Sequence, residues 1–141
     1  MTAKEFLSLA WHIDARLRNR VEERDRLRAN LEAGRSAKLT GMPRGGSGSD
    51  WTASADRLVE LDRRIGADIA ELCRVKLLIA DAIDAVPDVK CRTLLELRYR
   101  TYHTWEWIAE EMDITPRWAQ ILHGRALQLV KIPDEFIVIH P

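Results

Sequence analysis

The stretch IAEEMDITPRWAQIL, residues 108–122, decides how the chain is interpreted, because it contains a tight corner between two helical segments. One apolar helical pattern ends at Asp113, and a second begins at Thr115. The Thr115 hydroxyl is placed to cap a new helix, and Pro116 would take the first helical position, where a missing N–H group costs nothing. Two helices joined by so short a turn are typical of a helix-turn-helix, whose second helix can enter the major groove of DNA.

Helical segments on either side of this corner complete a three-helix domain. We expect helices at about Asp88 to Arg100, at Thr104 to Met112 and at Thr115 to Lys131, with Thr104 as a second N-cap. Ala109 is small where two of these helices should approach closely. The predicted core consists of Ile108, Met112, Ile114, Leu122 and Ala126.

The first 87 residues carry two apolar seams with the seven-residue rhythm of a coiled coil. A capping box formed by Thr2 and Glu5 starts the first helix, which we expect to end at Gly34. Its seam consists of Phe6, Ala10, Ile13, Leu17, Arg20, Arg24, Leu27 and Leu31. The second seam consists of Leu58, Leu61, Ile65, Asp68, Leu72, Val75, Ile79, Ala82 and Val86, and its helix ends where Pro87 cannot continue it.

The two seams predict an antiparallel helical hairpin across residues 1–87, joined by a flexible loop at 34–52 that is a solvated linker or a basic binding arm. In the pairing that aligns the apolar positions, Arg20 lies opposite Asp68, so both seams have their polar interruption at the same level. An ion pair there could fix the register of the helices. A hairpin leaves some apolar side chains beside its seam, and a homodimer that forms a four-helix bundle would cover them. They are Val21, Ile69, Leu78 and Ile83.

Composition narrows the possible functions. The 22 basic and 22 acidic residues balance, so binding to nucleic acid would depend on local rather than overall charge. No apolar run approaches the roughly 20 residues of a membrane helix, which favours a soluble cytoplasmic protein. The two cysteines, Cys73 and Cys91, lie eighteen positions apart, and the four histidines are scattered, so neither a metal site nor a cofactor is expected. We find no catalytic motif and predict that the chain is not an enzyme.

A resemblance to a known family becomes visible in LLELRYRTYHTWEWIAEEMDITPRWAQILHGRALQLV, residues 94–130. Through LRY, T-W-E-W-I-A, M-D-I-T and the late R-A-L, this segment resembles the fourth conserved region of bacterial sigma factors. The helical hairpin ahead of it is not a sigma-factor feature. Hairpin and helix-turn-helix together resemble small phage and prophage regulators of late gene transcription, of the ArpU and RinA types.

The resemblance implies a phage-type transcription regulator that binds double-stranded DNA in the cytoplasm of a bacterial host cell. Its recognition helix would be 115–131, and its hairpin would form a homodimer or contact RNA polymerase. Arg117 could read guanine and Gln120 adenine, each by a bidentate hydrogen bond. The residues that the resemblance places at phosphates or bases are His103, Thr104, Trp105, Thr115, Pro116, Arg117, Gln120, Ile121 and Arg125.

Two other functions remain open from the sequence. Small terminase subunits, which recognise DNA for packaging, also join a helix-turn-helix to a helical oligomerisation element. An interaction adaptor without DNA binding would fit the near-neutral domain 88–131, which has seven basic and six acidic side chains, including the neighbouring pair Glu110 and Glu111. The tryptophans Trp107 and Trp118 are expected to pack rather than to touch DNA. The apolar tail 132–141 is expected to dock on the domain or on a partner.

Overall fold

The structure, a computed structural model, describes residues 1–39 and 48–136, and all regular structure in these ranges is helical. The all-α class expected from the sequence is confirmed. Helix α3 continues directly into a π-helical segment, Glu96–Arg100, and the described chain ends in a 3-10 turn, Asp134–Phe136. The α-helices are α1 Ala3–Leu39, α2 Gly48–Asp84, α3 Val89–Leu95, α4 Trp105–Glu111 and α5 Pro116–Leu129.

The predicted loop at 34–52 is wrong at both ends. Helix α1 continues past Gly34 to Leu39, and α2 already begins at Gly48. A single glycine costs a helix only about 1 kcal/mol relative to alanine, and no proline follows until residue 43, so Gly34 is too weak a signal to stop the helix. Residues 40–47, the centre of the predicted loop, lie outside the described residues.

The chain divides into two compact units, of which the second comprises residues 13–71. Within that unit, the carboxylate of Asp68 is bonded to Arg20 at 2.5 Å and to Arg16 at 3.1 Å. Further along, Asp62 pairs with Arg24 at 3.5 Å. Residue numbers rise along α1 as they fall along α2, so these segments are antiparallel, and the predicted pairing of Arg20 with Asp68 is confirmed.

Apolar side chains at the surface of the second unit partly match the prediction. Ile69 is 47% exposed, as expected for a residue beside the seam, and Val59 is also exposed. The prediction was wrong for Ile83, which belongs to the first unit and is fully buried. The short helices of that unit contribute to the same core, so no second copy is needed to cover Ile83.

The first unit consists of residues 1–12 together with the chain from Leu72 onward. It therefore combines the ends of both long helices with the segment 88–131 that the sequence presents as a domain of its own. Arg92 on α3 donates a hydrogen bond of 3.1 Å to the carbonyl of Val86, just after α2. The fully buried large side chains of the unit are Phe6, Leu7, Val75, Ile79, Ile83, Val86, Leu94, Leu95 and Ile108.

The start of the predicted docking tail does pack on the first unit. The Phe136 ring lies 5.3 Å from the Phe6 ring, between centroids, and the Arg74 guanidinium lies 5.8 Å from the Phe136 centroid. Arg74 also forms an ion pair of 2.5 Å with Glu135. The most apolar part of the tail, residues 137–139, lies outside the described residues.

Candidate nucleic-acid interface

Hydrogen bonds between backbone groups stabilise the turn between α4 and α5. Asp113 has a left-handed φ of 56°, a conformation that aspartate tolerates better than most residues. The N–H of Asp113 donates to the carbonyl of Glu110 at 3.2 Å, and the N–H of Ile114 donates to that of Ala109 at 2.9 Å. These two bonds satisfy carbonyls that the end of α4 would otherwise leave unpaired. The chain can therefore turn from α4 into α5 within a few residues, 112–115.

Side-chain caps fix where the two helices of the motif begin. The Thr104 hydroxyl accepts a hydrogen bond of 3.2 Å from the N–H of Trp107, and the Thr115 hydroxyl accepts one of 3.1 Å from the N–H of Trp118. Pro116 stands at the start of α5. Both caps and the proline position were predicted, and the structure confirms them.

Helix α5 has one buried and one exposed face. The buried side chains follow the spacing of a single helical face, and two of them, Ala119 and Ala126, are completely inaccessible. Ala109 on α4 is only 2% exposed, as expected for a small residue between contacting helices. We call the opposite side of α5 the outward face; its residues are Arg117, Gln120, Ile121, Gly124, Arg125 and Gln128, all exposed.

The outward face carries most of the predicted base-reading residues. Arg117 and Gln120 are exposed, and Ile121 is 42% exposed, so none of them is held in the core. The guanidinium of Arg125 lies 5.2 Å from the ring centroid of Trp118. Trp118 itself is 41% exposed, so it packs against a surface side chain rather than in the core.

The predicted phosphate-contacting residues before α4 already have contacts within the protein. The His103 ring stacks on Trp107 at 3.5 Å between centroids and 10° between planes. The Thr104 hydroxyl caps α4, and Trp105 packs between Arg98, at 4.6 Å from its ring, and the buried His123, also at 4.6 Å. The structure therefore separates this aromatic cluster, which packs partly inward, from the exposed residues of α5.

Charge is distributed unevenly between the two helices. Helix α5 contains no aspartate or glutamate, and its two arginines, Arg117 and Arg125, are both exposed. Helix α4 carries exposed acids at Glu106, Glu110 and Glu111. The near-neutral total charge of residues 88–131 therefore combines one helix, α5, that phosphate groups would attract with another, α4, that they would repel.

Three residues near the site were not predicted to belong to it. Gln128 and Gly124 extend the outward face, and their helical spacing from Arg117 could have shown this. His123 is 7% exposed, and its Nε2 lies 2.6 Å from the Tyr99 hydroxyl. Burial, and then the positive charges of Lys4 and Arg98, lower the pKa of His123 to about 4, so this ring is neutral at physiological pH.

In comparisons with known proteins, no family model, curated protein or solved structure matches the chain. None of the helices within residues 1–39 and 48–136 has the length and apolar content that a membrane crossing requires. In the same ranges, no group of three or more His, Cys, Asp or Glu side chains could hold a metal ion.

Proposed function

We propose that the chain is a DNA-binding transcription regulator, without enzymatic activity, that reads duplex DNA with α5. The observation that carries this proposal is the outward face of α5, which is exposed, lacks acids and follows a turn that two backbone hydrogen bonds and the Thr115 cap stabilise. A helix held in this way can enter the major groove without rearrangement of the domain.

Two side chains on this face have the hydrogen-bonding groups that bases require. Arg117 can donate two parallel hydrogen bonds to guanine, and Gln120 can both donate to and accept from adenine. Each such pair contributes about 1–3 kcal/mol of discrimination against the wrong base. Arg125, one helical turn beyond Ile121, is better placed for a phosphate.

The second unit supports the proposal of a homodimer. Its exposed Ile69 and Val59 would be covered by a second copy of the antiparallel segment. Two linked copies of α5 would also compensate for the weak overall charge, because the second contact to one duplex is intramolecular. In a phage-type regulator working in the cytoplasm of a bacterial host, the same hairpin could instead contact RNA polymerase.

Selection of bound sequences from a random duplex pool tests the proposal, with the full chain and the variants Arg117→Ala and Gln120→Ala. We expect a consensus for the wild type and, for each variant, a loss of discrimination of about 5- to 150-fold at one base position. Arg26→Ala, a change at an exposed arginine of the second unit, serves as the control and should leave the consensus unchanged. Absence of any duplex binding at low salt would refute DNA reading.

An interaction adaptor is the second candidate, favoured by the acidic exposed side of α4 at Glu106, Glu110 and Glu111. It predicts no affinity for random duplex at low ionic strength, the condition in which counterion release favours binding most. A molar mass measured in solution also separates regulation from DNA packaging. A monomer or dimer supports a regulator, whereas a ring of many copies supports a small terminase-like subunit.

A further inference from the structure

A cavity of about 420 Å³ lies within the first unit, between the first turns of α1 and the helix-turn-helix. Helix α1 contributes Lys4 and Trp11 to its lining, the π-helical segment contributes Arg98, and α5 contributes Gln120 and His123. Its volume falls in the range of cavities that hold small organic ligands. It is therefore large enough for a molecule of one or two fused rings.

The lysine and arginine side chains that line this cavity make it positively charged. Lys4 and Arg98 line it, and no Asp or Glu is among the described residues that do so. Among the described residues, neither of these two side chains pairs with a carboxylate; Arg98 donates instead to the backbone carbonyl of His103, at 2.9 Å. The lowered pKa of His123 is in part an effect of these same two charges. A negatively charged group in the cavity would meet attraction from both cations.

Aromatic rings make up much of the remaining lining. Trp11, on α1, is 49% exposed, and Trp105, the first residue of α4, also lines the cavity. Tyr99 and Tyr102 also line it. Aromatic side chains beside cations are suited to a flat ring that carries an anion, because the ring can stack while the anion pairs.

We propose that this cavity binds a small planar aromatic anion, with the ligand ring against Trp11 and the ligand carboxylate or phosphate between Lys4 and Arg98. Gln120 belongs both to the cavity lining and to the outward face of α5. A bound ligand therefore adjoins a residue proposed to read DNA, and it would change the affinity for duplex. That second step rests on the proposed function, whereas ligand binding itself does not.

Calorimetric titration of the full chain without DNA tests the site with four probes. Indole-3-acetate carries the ring and a carboxylate, and adenosine monophosphate carries a ring and a phosphate. Tryptamine has the same indole ring with a positive charge, and acetate has the charge without a ring. We expect one or both aromatic anions to bind with a Kd of about 1 mM or tighter, as ligands of this size do in modest sites. Whichever aromatic anion binds more tightly is the probe used in the experiments that follow.

The indole N–H resonances of the five tryptophans report where a probe binds. Those of Trp11 and Trp105 should shift with the titration, whereas those of Trp51 and Trp118, which do not line the cavity, should stay in place. Lys4→Gln should weaken the affinity at least about threefold through the loss of one charge contact. Lys90→Gln, at an exposed lysine on α3 outside the cavity, is the control and should bind as the wild type does.

Three results would refute the proposed ligand site. They are no binding of either aromatic anion, binding of tryptamine or acetate as tight as that of the aromatic anions, or shifts spread over the resonances of all five indoles. The coupling to DNA is measured separately, as the duplex affinity of the wild type with and without the tighter probe. An unchanged duplex affinity would reject the link through Gln120 and leave the ligand site standing. If Lys4→Gln no longer binds the ligand but still binds the duplex normally, ligand binding and DNA binding are independent properties of the chain.

Discussion

Gly124 lies at the centre of the outward face of α5, and the packing of the described residues does not require a glycine there. Apart from the backbone of its own helix and its chain neighbours, a Cβ atom added at this position would meet no atom of residues 1–39 and 48–136 within 4 Å, and the same holds at Gly66 in α2. Alanine favours a helix over glycine by about 1 kcal/mol, so both Gly124→Ala and Gly66→Ala should raise the free energy of unfolding by about that amount. For a chain of this size, the melting temperature should rise by about 4 °C.

The two variants should differ in DNA binding. If α5 lies in the major groove, the bare backbone at Gly124 allows close approach, and a methyl group would hold the helix away from the bases. Loss of even one base contact, about 1 kcal/mol, corresponds to about fivefold weaker binding. Gly124→Ala should therefore bind the selected duplex at least about fivefold more weakly, whereas Gly66→Ala should bind as the wild type does.

Urea unfolding followed by circular dichroism measures the stability of both variants, and fluorescence anisotropy with a labelled duplex measures their affinity. A stabilised Gly124→Ala that binds DNA as tightly as the wild type would refute close approach at the centre of α5. A Gly124→Ala that is not stabilised would contradict the open space seen around this residue.

Three further predictions concern the fold and its response to pH. Asp68→Ala should lower the free energy of unfolding by about 1–3 kcal/mol in urea titrations, because it leaves Arg16 and Arg20 without their buried partner. The control is Asp62→Ala, which removes ion pairs that are exposed and longer. An equal or smaller loss of stability in Asp68→Ala than in Asp62→Ala would contradict a central role for the ion pairs of Asp68. Because the pKa of His123 is lowered from 6.5 to about 4, the unfolded chain takes up a proton first as the pH falls. The contribution of His123 to stability should therefore be complete above pH 6.5 and should fall by about 1–2 kcal/mol, after allowance for solvent screening, as the pH is lowered from 6.5 to about 4. If His123→Gln shows the same dependence of stability on pH as the wild type, His123 is not the group responsible. Asp113→Val should lower the free energy of unfolding by about 1–2 kcal/mol in thermal unfolding, because valine disfavours the left-handed φ of this position, whereas Asp113→Gly should not. Equal losses in both variants would show that the left-handed φ does not determine the stability of the turn.

Local signals account for what the sequence predicts well. The caps Thr104 and Thr115 act on N–H groups three residues away, so their signature is complete within one helical turn. The pairing of Arg20 with Asp68 is a longer-range prediction, and it succeeds because both seams place a charge at the same level. Two independent patterns that agree specify a register better than either pattern does alone.

Other features depend on contacts that no single stretch of sequence contains. Ile83 was expected beside the seam, but its burial depends on helices that follow later in the chain. The cavity brings Lys4 together with Arg98 and Gln120, residues from three separate segments, and periodicity within one segment does not reveal such a meeting. His123 is different, because its spacing from Ala119 and Ala126 already places it on the buried face of α5.

The most direct measurement of the central claim is photocrosslinking to duplex DNA from a photoreactive amino acid at position 121. Ile121 is 42% exposed on the outward face, and Leu77, 67% exposed on the part of α2 that belongs to the first unit, provides an apolar control position outside the proposed dimer surface. If α5 reads DNA, crosslinks to the duplex should form from position 121 and not from position 77. Equal crosslinking from both positions, or none from position 121 under conditions in which the chain binds the duplex, would contradict the assignment of α5 as the recognition helix.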